Sequence, residues 1–277
     1  MGSWVGALLV LAIVVAGAYL ARKASHMDTP TAAVPVAASA SSVAANTAEP
    51  LIEHPISQAR SAPASASSAV SPVRDDNDAS VAVALAGLAG ASDLSSVLVR
   101  QQIIARIVAT IDALPRRGLS TFMLPVHTPK GDFLVEDAGG AMVVSEQNAA
   151  RYAPYMQIQD GVDPQALVTW YVHSYPVFQA AYRELGYPKG YFNDRLIVVI
   201  DNLLATPDLT QPPILVKSRT FYGYTDPALE SLSAGQKLLI RVGPANAARI
   251  KMKLRAIRMQ LTGKDLRAAP AQQGAEE

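Results

Sequence analysis

Cysteine is absent from the 277 residues, which removes disulfides, thiolate nucleophiles and zinc or iron–sulfur centres that need sulfur ligands. Histidine is scarce. Two of the four, His26 and His54, fall in low-complexity sequence, and His127 and His173 stand far apart with no HxxxH or HxxE spacing near them, so no histidine metal site is expected. An excess of one charge is lacking too. With 24 Lys and Arg against 23 Asp and Glu the net charge is +1, which gives no general attraction to nucleic acid or to an acidic partner. Nor does the chain contain G-x-S-x-G, G-x-x-x-x-G-K-[ST] or G-x-G-x-x-G, so the hydrolase elbow and the common nucleotide loops are missing. No cofactor is called for.

One long hydrophobic run is present. Trp4 to Leu20, WVGALLVLAIVVAGAYL, carries no charge and at about 1.5 Å per helical residue covers most of a roughly 30 Å hydrocarbon layer. Ala16-Gly17-Ala18 has the small-x-small pattern of a signal-peptide cleavage site, but Met1-Gly2-Ser3 lacks the basic n-region such a peptide needs. The expectation is an uncleaved, single-pass inner-membrane anchor over 1–27. Residues 28–79 are rich in Ala, Ser and Pro, with few charges and almost no aromatics, and cannot bury enough surface to offset their conformational entropy. They read as a disordered tether with a reach on the order of 40 Å. Arg22 and Lys23 directly after the span favour a cytoplasmic C-terminal side, whereas the long tether favours the periplasm, and the periplasmic side is the expectation. Residues 268–277 read as a disordered tail.

The folded part is expected over 80–267, mainly α, as a compact helical domain with one small β-hairpin. Its centre is a helix, a corner and a helix from Trp170 to Asp201, where nearly half of the aromatic residues are concentrated. Tyr171, Tyr175, Phe178 and Tyr182 keep one helical face, with Pro176 predicted to kink the helix. Gly186 suits a left-handed helix end, Tyr187-Pro188-Lys189-Gly190 a type I turn, and Asn193 the cap of the second helix. Ahead of this centre, Val81–Leu88 reads as a short helix and Leu94–Leu114 as a long one capped by Asp93. GDFLVEDAGGAMVVS reads as the hairpin, and Ser145 opens a helix after it. Asp163-Pro164 starts the aromatic helix. Beyond it, Ile214–Val216 reads as a short edge strand. Asp226-Pro227, Ser233 with Gln236, and Gly243-Pro244 open the last helices, and Gly263 ends the series. The total expected is six to eight helices and one hairpin.

The segments ELGYPKGYFNDRL, DNLLATP and ESLSAGQKLLIRVGPANAARIKMKLRAIR, with GDFLVE and NAARYAPY, resemble the bacterial domain of unknown function 3014 family over Val81 to Met259. The resemblance implies an N-terminal hydrophobic segment, a variable linker and this domain in envelope-bearing bacteria. That family has no assigned activity, so it carries no residue roles to this chain. The missing basic charge ahead of the span departs from the pattern.

Three sets of residues are candidates for function. Tyr187 and Tyr191 flank the turn, where no helical stripe fixes their direction, and suit an exposed contact surface. Arg249, Lys251, Lys253, Arg255 and Arg258 crowd the faces beside the apolar stripe of Ile250, Leu254, Ile257 and Leu261, and suit anionic lipid or an acidic partner. Glu184 with Asp194 or Asp201 forms the one carboxylate group that can serve as acid and base on a polymer, although Asp194 also suits the helix dipole and Asp201 a solvated stripe. No catalytic residue is assigned. The favoured function is binding or scaffolding by a membrane-anchored envelope domain, with an envelope protein or polymer as partner and no nucleic acid. An envelope-polymer hydrolase and a cytoplasmic domain docked on the inner leaflet are the alternatives.

Overall fold

The structure, a computed structural model, describes residues 51–59, 70–90, 92–218 and 221–263. The expected anchor Trp4–Leu20, much of the tether and the tail lie outside the described residues. Among the described residues no helix is long and apolar enough to cross a membrane.

The architecture is mainly helical. Eight α-helices are described: α1 (Asp78–Ala89), α2 (Ile103–Ala113), α3 (Ala153–Gly161), α4 (Pro164–Glu184), α5 (Phe192–Leu204), α6 (Pro227–Ser231), α7 (Ala234–Arg241) and α8 (Pro244–Thr262). The expected hairpin is present as β1 (Val135–Ala138) and β2 (Ala141–Val144), antiparallel, with Val135 opposite Val144. A second hairpin, β3 (Leu215–Ser218) with β4 (Phe221–Tyr224), completes what reads in sequence as a lone edge strand, and Ile214 bridges Val143 to join the two hairpins.

The α4–α5 pair is the middle of the core, because its aromatic face is covered on several sides by α2 and α8. Phe178 and Phe192 are fully buried and stack with ring centroids 5.9 Å apart, and Trp170 meets Phe178 edge-on at 5.7 Å. Such pairs contribute about 0.5–1.5 kcal/mol beyond the area they bury. The helix α4 runs unbroken through Pro176, whose ring is exposed. Asp163 caps α4, Asp226 caps α6, Ser233 and Gln236 form a capping box on α7, and Gly263 ends α8 in the left-handed region at φ 67°, all as the sequence predicts.

Elsewhere the fold departs from the expectation. The predicted helix Leu94–Leu114 is really two pieces. Asp93 caps only a 3-10 turn at Leu94–Ser96, after which Leu98 bridges Val126 and the Val99 N–H donates to Pro125 O at 2.8 Å. The helix restarts at Ile103, where the Asp78 carboxylate accepts the N–H groups of Gln102 and Ile103, both at 2.8 Å. A residue from α1 thus caps α2, a pairing that local sequence does not encode. The start of α1 is also earlier than Val81, because the Asn77 side chain accepts from Ala79 and Ser80.

The stretch assigned to the tether is not wholly separate from the domain. Val73 is buried and donates its N–H to Ser174 Oγ at 3.0 Å. Residues 51–59 form a strap whose 3-10 turn, Ile56–Gln58, lies by α8, with Ile56 and Ala59 against the core.

Candidate functional site

The corner tyrosines face inward more than the sequence reading allows. Tyr187 is half-buried, stacked on Tyr182 with centroids 4.6 Å apart, and its hydroxyl donates to Asp112 Oδ2 at 3.2 Å while accepting from Arg116 at 2.8 Å. Tyr191 is also half-buried, in the N-cap position of α5. The expected turn is there, with Gly190 N–H bonded to Tyr187 O at 3.1 Å. What fixes it is Gln179, which the sequence does not single out. Its Nε2 donates to Gly190 O at 2.8 Å and its Oε1 accepts from Phe192 N–H at 2.9 Å and Tyr175 Oη at 2.7 Å.

Asn193 does not cap α5. Its buried side chain instead accepts from Tyr171 Oη at 3.3 Å and donates to His54 O at 2.7 Å, because the strap supplies a partner unseen in local sequence. The candidate carboxylates are similarly engaged. Asp194 accepts the N–H groups of Glu53 at 3.2 Å and His54 at 2.6 Å. Asp201 accepts from Arg258 Nε at 2.5 Å and Nη2 at 3.0 Å, and Glu184 lies exposed. His173 is exposed, with Nδ1 2.7 Å from Thr169 O.

The basic face of the last helix is largely consumed by the fold. Lys251 is a correction to the surface reading: it is 3 % exposed, with Nζ donating to Thr206 O and to Asp208 Oδ1, both at 2.6 Å. Lys253 reaches the carbonyls of Gln159 and Val162 at the end of α3. Burial pushes its ammonium down to about 8, with Asp163 opposing and Arg249 reinforcing the shift. Arg249 pairs with Asp160 and Arg258 with Asp201, while Arg255 is exposed. Long cationic side chains that reach back along their stems to a loop or helix end look, in a one-dimensional pattern, like a charged surface.

A cavity of about 370 Å³ opens where Val144 and Ser145, the loop after α5 and the α7–α8 junction converge. Its walls include Val144, Pro207, Leu209, Leu239 and Ala247, and Lys251 contributes the buried cation. Arg241 also borders it, held by its bond to Tyr222 O at 3.2 Å and lying over the Phe133 and Tyr224 rings. Glu146 and Asp208 supply the acidic groups of the rim, both exposed. No sequence motif marks this cavity, since its parts come from three separated segments.

The molecule is thus a mainly helical domain with paired hairpins and a mostly apolar cavity bordered by a buried lysine. Residues 103–258 match the family model described as Protein of unknown function (DUF3014), and the chain belongs to that family. No curated protein and no solved structure matches it.

Proposed function

We propose that the chain is a membrane-anchored binding or scaffolding protein of the cell envelope, with its domain on the periplasmic side. The observation that carries the binding reading is the cavity beside Lys251: a concave, mostly apolar site with few polar groups is the usual form of a small-ligand site. Of the carboxylates that a polymer hydrolase would use, Asp194 is engaged with the strap and Asp201 with Arg258. Support for the anchor comes from the uncharged Trp4–Leu20 run, and support for the periplasm from the composition of the segment after it. A reporter fused after Glu277 and active only outside the cytoplasm tests the location, and silence with good expression overturns it. A photo-crosslinking residue at Ala245, on the exposed edge of the cavity, tests binding in intact cells. Specific adducts at Ala245 but not at Arg255 are the expected result.

A further inference from the structure

We propose that the cavity beside Lys251 takes a small amphipathic carboxylate, its apolar body against the walls and its head on the lysine ammonium. At about 370 Å³ the space lies within the range of about 300–1,000 Å³ typical of sites for small organic molecules. Val144, Pro207, Leu209 and Leu239 make the walls suited to an aliphatic body. Three features make the inner end suited to one negative charge. Lys251 is buried, and of its three N–H bonds one goes to Thr206 O and one to Asp208. Among the described residues no third acceptor meets it. The Asp208 side chain is 81 % exposed, so exchanging it for a ligand carboxylate returns a solvated group to water at little cost. Gly243, Pro244 and Ala245 also line the cavity, and Gly243 gives α8 no side-chain cap, with no acid in the first turn, so the positive end of that helix opens on the same space.

Charge balance separates a carboxylate from a phosphate. With Asp208 released to water, Glu146 offsets one of the two cations, Arg241 and Lys251, and the lining keeps one positive charge, which a single carboxylate balances and a doubly charged head exceeds. This inference rests on the reading of the chain as a binding protein but is independent of the side of the membrane. The reporter assay reads location alone, so either result can fail without the other.

The test is calorimetric titration of the full chain, held in lipid discs, with octanoate, octylamine, 1-octanol and octyl phosphate, using empty discs as the blank. Octanoate is expected to bind at least tenfold more tightly than the other three. Lys251→Met should weaken octanoate at least tenfold and leave 1-octanol unchanged. Because that variant leaves Thr206 O without its donor and can lower stability, Ala245→Phe provides a second reading. It places bulk at an exposed position on the cavity edge, and should abolish octanoate binding with the melting temperature unchanged. Absence of octanoate binding, equal affinity for octylamine, or octanoate binding untouched by Ala245→Phe overturns the proposal.

Discussion

Arg195 Nε meets Asp112 Oδ1 at 2.9 Å, and its Nη2 donates to the Asp112 backbone carbonyl at 2.6 Å, across 83 positions of sequence. Asp112 is 4 % exposed and is also met by Arg116 and by the Tyr187 hydroxyl. One carboxylate therefore joins the end of α2, the first turns of α5 and the aromatic corner.

Asp112→Ala should be costly, because it leaves the Arg195 guanidinium without its anion. The expected loss is about 2–4 kcal/mol, below the range for a fully buried pair because Arg195 is 25 % exposed. Asp112→Ala with Arg195→Met should recover part of it, since the less exposed guanidinium is then gone and Arg116, 55 % exposed, keeps its contact with water. Urea unfolding checks both, and additive losses in the double variant would refute the coupling.

Phe178→Ala removes the ring that meets Trp170, Tyr171 and Phe192, and should cost about 3–5 kcal/mol. Tyr187→Phe should cost about 1 kcal/mol, the value of its hydroxyl's hydrogen bonds, because the stacked ring remains. Thermal melting of the two variants ranks them. A neutral Tyr187→Phe would restore the reading of Tyr187 as a contact residue.

The strap is predicted to open alone. Asp194→Ala removes the acceptor of two successive amides and should cost about 1–2 kcal/mol. Hydrogen exchange at Glu53 and His54 should accelerate while that of α4 stays slow. A chain starting at residue 80 should be less stable than one starting at 51, since it loses Val73, the Asn77 cap and the strap.

Stability should rise and then fall at alkaline pH. The Lys253 ammonium, pushed down by burial to about 8 from the usual lysine value of 10.5, binds fewer protons in the folded state than in the unfolded one between those values. Stability therefore increases with pH from about 8 toward 10. Burial pushes the Tyr152 and Tyr155 phenols up to about 12, so the folded state binds more protons above 10 and stability then declines. Unfolding measured from pH 7 to 11 checks the profile. Lys253→Met should flatten the rising limb and leave the falling one.

Sequence made the local devices of this fold legible. Asp163-Pro164, Ser233 with Gln236 and Gly263 act within a few residues of themselves, and all three behave as their spacing predicts. Devices that reach across the chain were not legible. Asp78 caps a helix that starts 25 residues later, and Asn193, which suits a cap by position, turns instead to a strap 139 residues earlier. The same limit explains the candidate site. Lys251 belongs by spacing to a charged stripe, and only the return of the Thr206–Asp208 loop places it inside.

The strap also determines how the molecule answers tension. A pull on the chain ahead of Leu51 is delivered first to the opening turn of α5, where Asp194 and Asn193 hold the backbone of residues 53 and 54 by three hydrogen bonds. Those bonds must part before the pull can reach Val73 and α1. Strain from the N-terminal side is thus taken up at the aromatic centre of the molecule, and α1 is shielded from it until the strap has peeled away.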